Sequence, residues 1–579
     1  MKLTGAEILI KELEQRGVTH VFGYPGGAAI NIFDALLDSP IHFVLTRHEQ
    51  AAVHMADGYS RASGKPGVVL VTSGPGALNT VTGLLTAKMD SVPIFIISGQ
   101  TNRCNLGKDA FQEADVFGTT MSVVKHNELV LELAELPAQF NRLYSLATSG
   151  RPGPVILDIP KDVSAEKMHW SPELVAHESW GPSLVDASSL ASSFDKGLKL
   201  MAHYLNSCER PLLLIGHGAM ISGATEEVET LSHLIQAPVT NTLLGKGCFS
   251  ESHDLSLGML GMHGTGVANY ATTRCDVLLS VGCRFDDRIN GKTEEFCPGA
   301  RILHIDIDPT EIGRIVSPDA FVCGDAKEVL RQLIPLLKGS DLRPGCGAWL
   351  TELEGYKNKF PIKSPSEADV LSAPDVIEAF YKASDARTIV TTDVGQHQMW
   401  AAQFFLSQTN RSWLSSGGAG TMGFGFPAAL GAQMAHPDRK VLAIVGDGGF
   451  QMSMAELATA VNEKLPVKIL VIDNACLGMV RQWQDLFFDQ RESGISMDGN
   501  PDFIALAAAY GVKGFFVCHP DQLQKTAEEA MAYQDGPCLI HAVVQRNENV
   551  FPMIPAGQSA RSIVFEKPES PLDKPTGST

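Results

Sequence analysis

The chain has 579 residues, 44% of them hydrophobic and 19% charged, a profile that suits about three or four globular domains. Its net charge of −19 argues against a general nucleic-acid or anionic-membrane surface, and no apolar run approaches the ~20 residues of a membrane span. The 11 cysteines are dispersed without CxxC pairs, which indicates neither a zinc site nor a disulfide framework and fits a reducing compartment. Met1–Glu7 reads as helix-like with no signal or transit pattern, so the expected location is cytoplasmic.

Residues 1–180 form the first expected domain. Apolar strands at Val18–Phe22, Phe43–Leu45, Gly67–Thr72, Val92–Ser98 and Val155–Asp158 alternate with helical stretches, the pattern of a doubly wound parallel sheet. Three strand exits carry chemistry: Tyr24-Pro25-Gly26-Gly27, Arg47-His48-Glu49 ahead of a helix Glu49–Ala62, and Ser73-Gly74-Pro75-Gly76. Glu178–Ser193 reads as a linker. The second domain, 190–340, opens with helix Phe194–Leu205, and its strands are Leu212–Ile215, Val277–Val281, Arg301–Ile307 and a last one at Phe321–Asp325. Gly216-His217-Gly218 and Asp306 stand at strand exits. An acidic residue there suits a ribose hydroxyl and hence a dinucleotide, though a bare GxG is a weak signal. Lys338–Ala373, charged and bearing Pro and Gly, reads as a second linker. The third domain, 370–550, has strands Thr388–Thr392, Val441–Val445, Val467–Ile472 and Leu539–Val544; segment 551–579 follows, its tail from Lys567 expected to be disordered. The expected fold class is α/β, three doubly wound parallel-sheet domains. The first and third share a pattern without a fixed-period repeat.

Val441–Asn474 is the most informative stretch. A continuous apolar strand leads into Gly446-Asp447-Gly448-Gly449, an expected helix Met452–Lys464, a second apolar strand and Asp473-Asn474. Such a β–α–β unit makes the strands parallel, so Asp447 and Asn474 leave the same sheet edge. An anionic and a neutral oxygen beside a Gly-rich helix entrance suit a small hard cation carrying a phosphate. Taken alone, a helix-capping Asp in an ordinary βαβ turn fits equally well. Glu49, at a helix start, is likewise favourable to the helix dipole with no further role.

Together these residues resemble the thiamine-diphosphate motif, in which Mg²⁺ bridges such an Asp, such an Asn and the diphosphate. The resemblance implies Asp447, Asn474 and the backbone carbonyl of Cys476 as metal ligands. It implies for Glu49 a hydrogen bond to N1′ of the aminopyrimidine, which leads to the thiazolium ylide. Ten stretches narrow the likeness: Arg47–Gly58, Thr72–Ala77, Asp109–Glu113, Leu257–Thr265, Arg284–Arg288, His304–Pro309, Asp393–Trp400, Gly420–Gly425, Leu477–Gln484 and Glu548–Met553. They resemble the catalytic large subunits of acetohydroxyacid synthase (acetolactate synthase), over essentially the whole chain except the tail. That family decarboxylates pyruvate and joins the hydroxyethyl carbanion to a second 2-oxo acid, pyruvate or 2-oxobutyrate, the first common step of branched-chain amino acid biosynthesis. The resemblance therefore implies thiamine diphosphate, Mg²⁺ and FAD as cofactors. It also implies a homodimer or homotetramer with active sites shared between subunits, and a possible small regulatory subunit.

Carried over position by position, the resemblance implies Gln112 and Lys125 as polar groups near the reacting centre with Glu49. Arg284 would grip the acceptor carboxylate bidentately, the alternative being an ion pair with Asp286 or Asp287. Trp483, Phe111 and Met262 would wall the acceptor pocket; a one-methylene contact there is worth roughly 1–3 kcal/mol of selectivity. Around thiamine diphosphate it implies Gly27, Gly76, Asn79, Gln396, His397, Gly420, Met422, Gly446, Gly448, Gly449 and Met479. Around FAD it implies Gly216, Gly218, Met262, His263, Gly264, Thr265, Gly282, Arg284, Asp286, Arg288, Asp306, Ile307, Asp325 and Ala326. The chain departs from the family at His217, which interrupts a three-glycine run, and at Thr101-Asn102, where Val-Pro is usual. The rival readings are a thiamine/FAD pyruvate decarboxylase, against which the absence of any His-His pair counts, a pyruvate oxidase, against which the Arg284–Arg288 and Val480–Gln484 stretches count, and a non-catalytic paralogue.

Overall fold

This computed structural model describes residues 2–171, 187–337, 346–364, 369–569 and 572. Three six-stranded sheets carry the architecture, and every ladder within them is parallel. The strands in chain order are β1 (Lys2–Thr4), β2 (His20–Tyr24), β3 (His42–Leu45), β4 (Gly67–Val71), β5 (Ile94–Gln100), β6 (His126–Leu129), β7 (Val155–Pro160) and β8 (Lys167–His169). Next come β9 (Pro211–Ile215), β10 (Val239–Asn241), β11 (Ser256–Met259), β12 (Val277–Val281), β13 (Arg301–Asp306) and β14 (Ala320–Cys323). The last six are β15 (Ile389–Thr392), β16 (Trp413–Ser415), β17 (Val441–Gly446), β18 (Lys468–Asp473), β19 (Lys513–Val517) and β20 (Cys538–Val543).

The first sheet is ordered β3-β2-β4-β5-β7-β6 and the third β16-β15-β17-β18-β20-β19, the same order when each is counted from its own first strand. The middle sheet, β11-β10-β9-β12-β13-β14, has the order of a dinucleotide-binding fold. Helices cover both faces, which is why β4, β12 and β17 are buried along their whole length and read as unbroken apolar runs. One core runs through the first and third sheets by way of helices Glu49–Ser63 and Gly425–Ala435, whose Met55, Ala56, Tyr59, Phe426, Ala429 and Leu430 are buried together.

Several expectations need correction. The chain does not start in a helix: Lys2–Thr4 pairs antiparallel with Lys167–His169, and the helix begins at Gly5 behind a capping box of Thr4 and Glu7. Of the linker at Glu178–Ser193, residues 178–186 lie outside the described residues, and helix Ala187–Ser207 already runs through the rest. The linker expected at Lys338–Ala373 contains helix Cys346–Lys359, which docks through buried Trp349 and Leu353; the Trp349 indole donates to the Pro211 carbonyl at 3.0 Å. Helix Met452–Lys464 is instead two short helices, Asp447–Gln451 and Leu457–Asn462, split by a 3₁₀ turn at Met454–Glu456. Strands β6, β10, β11, β16 and β19 were not expected, being short or polar. Most of the tail from Lys567 lies outside the described residues, but Lys567 pairs with Asp485 at 2.7 Å and the Leu572 amide donates to the Leu486 carbonyl at 2.9 Å.

Candidate active site

In open α/β sheets ligands settle at the carboxyl ends of the strands where the strand order reverses. In the first sheet that point lies between β2 and β4, so the exits Tyr24–Gly27 and Thr72–Gly76 adjoin. The space is tight: a Cβ on Gly26 would lie 2.5 Å from that of Thr72. Glu49 leaves β3 next door, opens helix Glu49–Ser63, and accepts a hydrogen bond on Oε2 from Asn79 Nδ2 at 3.0 Å. Its other oxygen lies 3.3 Å from where a Cβ on Gly76 would stand, and the Thr72 hydroxyl beside it is buried without a partner. Gln112 joins this edge with a left-handed backbone (φ 57°), its carbonyl set against Gly74. Its loop is braced by the Glu113 carboxylate, which accepts from the Ala110 amide at 2.8 Å, and neighbouring Phe111 is 89% exposed. Glu49, Gly76, Asn79 and Gln112 thus share one edge, with Gly27 exposed on it.

Lys125 is not placed as expected. Its ammonium donates to the carbonyls of Leu146, Ser149 and Arg151 at 2.5, 2.7 and 2.9 Å, so all three donors close off the end of helix Leu136–Thr148. Burial also holds its pKa below the usual lysine value. An exposed cation that does stand at this carboxyl edge is Lys161, directly after β7, which the sequence reading passed over.

The third sheet reverses between β15 and β17. A pocket of about 530 Å³ opens there, lined by Gln396, His397, Met422, Gly446, Asp447, Gly448, Gly449, Asn474, Cys476 and Met479 among others. Every lining residue comes from the third sheet's part of the chain, and Glu49 is not among them. Gly420 stands just outside, with a left-handed backbone (φ 61°). Close packing sets the glycines: a Cβ on Gly446 would lie 2.9 Å from the His397 ring, and one on Gly478 would lie 2.7 Å from Asn474 Nδ2. Asp393, unassigned from the sequence, organises the turn that carries Met422; its carboxylate accepts from the amides of Val394, Gly423 and Gly425 at 2.8–3.1 Å, while burial lifts its pKa to about 6. Burial lowers His397 to about 4, so its ring is neutral near pH 7, and its Nε2 has no partner inside the pocket.

Asp447 lies beside Asp473, and burial, with Asp473 adding to it, lifts Asp447 to about 7. Asn500 donates to both carboxylates, and His541 holds the far oxygen of Asp473 at 2.8 Å. Among the described residues no three His, Cys, Asp or Glu side chains cluster as a metal site. One carboxylate, one amide oxygen and one backbone carbonyl form a different donor set, the oxygen-only kind that Mg²⁺ completes with phosphate oxygens.

The middle sheet reverses between β9 and β12, where Gly216 and Gly218 press against Gly282. The groove at this point has a volume of about 980 Å³ and is lined by His217, Gly218, Gly282, Arg284, Asp306, Ile307, Asp325 and Ala326 together with Asp90 and Arg151. Arg284 makes no ion pair with Asp286 or Asp287 among the described residues, so the structural alternative for it is not realised. His217 Nδ1 lies 2.7 Å from the Asp90 carbonyl. Other expected flavin contacts stand elsewhere. Thr265 caps helix Gly266–Arg274 and donates to the Leu257 carbonyl, and Asp286 caps helix Asp287–Asn290. Gly264 packs against Met259, and His263 is buried with its carbonyl accepting from Gln403. Met262 and Arg288 meet each other (sulfur to Nη1 3.7 Å) outside the groove. Segment 551–554 ties Met262, through Ile554, to the half-buried Trp483 beside Phe487 and Met553.

Three family profiles match the chain. "Thiamine pyrophosphate enzyme, N-terminal TPP binding domain" covers residues 3–119, the corresponding "central domain" 198–333, and the "C-terminal TPP binding domain" 393–542. A probable acetolactate synthase large subunit of Methanocaldococcus jannaschii is 45% identical over 97% of this chain and 95% of its own. The acetolactate synthase large subunit of Parasynechococcus marenigrum is 44% identical over 97% of this chain and 91% of its own. That of Haemophilus influenzae is 41% identical over 98% and 99%.

Proposed function

The chain belongs to the thiamine pyrophosphate enzymes and, among them, to the acetolactate synthase large subunits, and on that premise we propose that it condenses pyruvate with a second 2-oxo acid. It is an acetolactate synthase, a carboligase. The observation that carries this reading is the 530 Å³ pocket that gathers Asp447, Asn474 and Cys476 with Gly446–Gly449, His397 and Met422 at a switch point. The fit to a metal diphosphate rests on its oxygen donors and on the Gly446–Gly449 turn that lines the pocket beside them. Thiamine diphosphate, when bound, supplies the electron sink for decarboxylation and carbon–carbon bond formation.

The remaining work falls to the protein's own residues. Asp447, Asn474 and the Cys476 carbonyl would hold Mg²⁺, and His397 would pack beside the diphosphate. Glu49, oriented by Asn79, would hold the proton that activates the cofactor ring. Arg284 would fix the acceptor's carboxylate, with Trp483, Phe111 and Met262 setting acceptor size. Because the pocket is lined by the third part of the chain alone, Glu49 would come from a second copy, in a homodimer or homotetramer. The large exposed side chains of Phe111, Met121 and Met452 support such a covered face. FAD would occupy the middle groove, which its strand order and Asp306/Asp325 pair suit. The relatives' name, large subunit, supports a small regulatory partner. The domain limits proposed are 1–180, 190–340 and 370–550. No described helix is long and apolar enough to cross a membrane.

Incubation with pyruvate, thiamine diphosphate, Mg²⁺ and FAD tests the reading. Acetolactate should form without oxygen uptake, and added 2-oxobutyrate should give the mixed product. Oxygen consumption or net acetaldehyde release would point to the oxidase or decarboxylase instead.

A further inference from the structure

Behind the metal pocket lies a residue that no motif marks. Asn500, in Gly499-Asn500-Pro501, is half-buried, and its amide nitrogen donates to Asp447 Oδ2 at 2.7 Å and to Asp473 Oδ1 at 3.1 Å. Its carbonyl oxygen accepts from Gln451 Nε2 at 2.8 Å. That third bond fixes the amide's orientation: flipped, its oxygen would face two carboxylates and its NH₂ would face another NH₂. The chain leading to Asn500 is zipped to the metal loop from outside. The Leu477 amide donates to the Ile495 carbonyl at 2.8 Å, the Met497 amide to the Ala475 carbonyl at 2.9 Å, and Cys476 bridges Ser496.

We propose that Asn500 is the positioning residue of the divalent-cation site, bridging Asp447 and Asp473 so that Asp447 stays aimed into the pocket, and coupling cation binding to the closure of segment 495–500. The proposal rests on the reading of Asp447, Asn474 and Cys476 as that site. Two adjacent carboxylates repel, and with the bridge removed Asp447 gains freedom to turn away from the pocket. Asp473, ionised and paired at its far oxygen with His541, has no proton to donate and so cannot replace the lost donor. Through this bridge segment 495–500, none of whose residues line the pocket, would respond to what the pocket holds. Cation capture fixes Asp447, which fixes Asn500, which anchors the strand-like contacts at 495–497.

The test uses the full-length protein with thiamine diphosphate and Mn²⁺, following free Mn²⁺ by electron paramagnetic resonance, with hydrogen exchange read at residues 495–497. Partners in this outer layer typically set 10- to 100-fold in metal affinity. Asn500→Ala should therefore weaken Mn²⁺ by about 10- to 100-fold and abolish the metal-dependent slowing of exchange at 495–497. Turnover should return at high metal concentration, a split that a merely structural role would not give. Lys513→Ala, exposed on β19 and outside the metal loop's contacts, should stay within about twofold of the parent protein, the scatter expected away from the site. If Asn500→Ala folds poorly, Gln451→Ala, which frees the amide's orientation and also removes the 3.2 Å bond from Gln451 Nε2 to the Asp447 carbonyl, should still weaken Mn²⁺ measurably. Parental affinity in either folded variant overturns the proposal. Failure of the unmodified protein to take up Mn²⁺ overturns the site reading itself.

Discussion

Replacing Gly58 by alanine sets two effects of opposite sign against each other. Alanine is favoured over glycine inside a helix by about 1 kcal/mol, which stabilises. Helices Glu49–Ser63 and Gly425–Ala435, however, cross so closely that a Cβ on Gly58 would lie 2.6 Å from the Ala428 carbonyl carbon and 2.7 Å from its Cα. These are backbone atoms and cannot swing aside, so the helices must part by roughly 1 Å, enough to forfeit a quarter to a half of each contact's dispersion well. The seam holds six buried side chains from Met55 to Leu430. If each has about 2 kcal/mol of contact across it, the loss is about 3 kcal/mol or more, in the upper range for overpacking. Overpacking wins, and the variant should be about 2 kcal/mol less stable. Gly355→Ala is the control, in helix Cys346–Lys359 with nothing within 4 Å of the new Cβ, and it should gain about 1 kcal/mol. Melting midpoints at fixed protein and cofactor concentration check both, since a chain of this size need not unfold in two states. Thiamine diphosphate affinity should also fall for Gly58→Ala, because Glu49 opens one helix and Met422 leads into the other. A Gly58→Ala protein that melts at or above the parent temperature would refute the close-packing argument.

Glu49→Gln should cut turnover by at least about 100-fold while leaving cofactor affinity nearly intact, checked by acetolactate formation against thiamine diphosphate titration; an unchanged rate removes the proton-holding role. Arg284→Lys should raise the KM for the acceptor 2-oxo acid by about tenfold, because an ammonium cannot grip a carboxylate at two points; initial rates against 2-oxobutyrate at fixed pyruvate read this, while the product ratio in competition should stay unchanged. Lys125→Met should leave turnover unchanged but destabilise by about 1–3 kcal/mol, since it strips the donor from three carbonyls; loss of kcat in a folded variant would return Lys125 to the site. Asp158 is lifted by burial to about 7, though Ser98 and Gln100 donate to it at 2.6 and 2.9 Å. The folded chain therefore holds this proton more tightly than the unfolded one, so its stabilising contribution is full below about pH 4 and lost as pH rises through about 7, by up to about 4 kcal/mol. Asp158→Asn should flatten that slope in melting curves taken between pH 5 and 8.

Much of the site was legible because its residues sit where short motifs meet strand ends. Asp447 and Asn474 each follow an unbroken apolar run, as a buried parallel strand requires, so their place at a carboxyl edge needed no coordinates. Glu49 follows β3, a half-exposed edge strand, and is read from the Arg47-His48-Glu49 stretch and the helix after it. Thr265 and Asp286 carry a second signal, since a small polar residue after a strand also serves as a helix cap, and the observed hydrogen bonds show both in that role. Lys125 carries the same ambiguity: an ammonium in a polar stretch reads alike whether it faces a substrate or the carbonyls at a helix end, and the three carbonyls it holds became visible only in the structure.

By itself, the sequence determined three α/β units and which residues stand at their strand exits, because hydrophobic period and turn chemistry are local properties of the chain. Tertiary structure alone decided that the first and third sheets share one strand order while the middle sheet has another. It alone joined Asn500 to Asp447 across 53 positions. Strand pairing is made by backbone groups common to every residue, so the pattern of side chains says which face of a strand is buried but not which strand lies beside it.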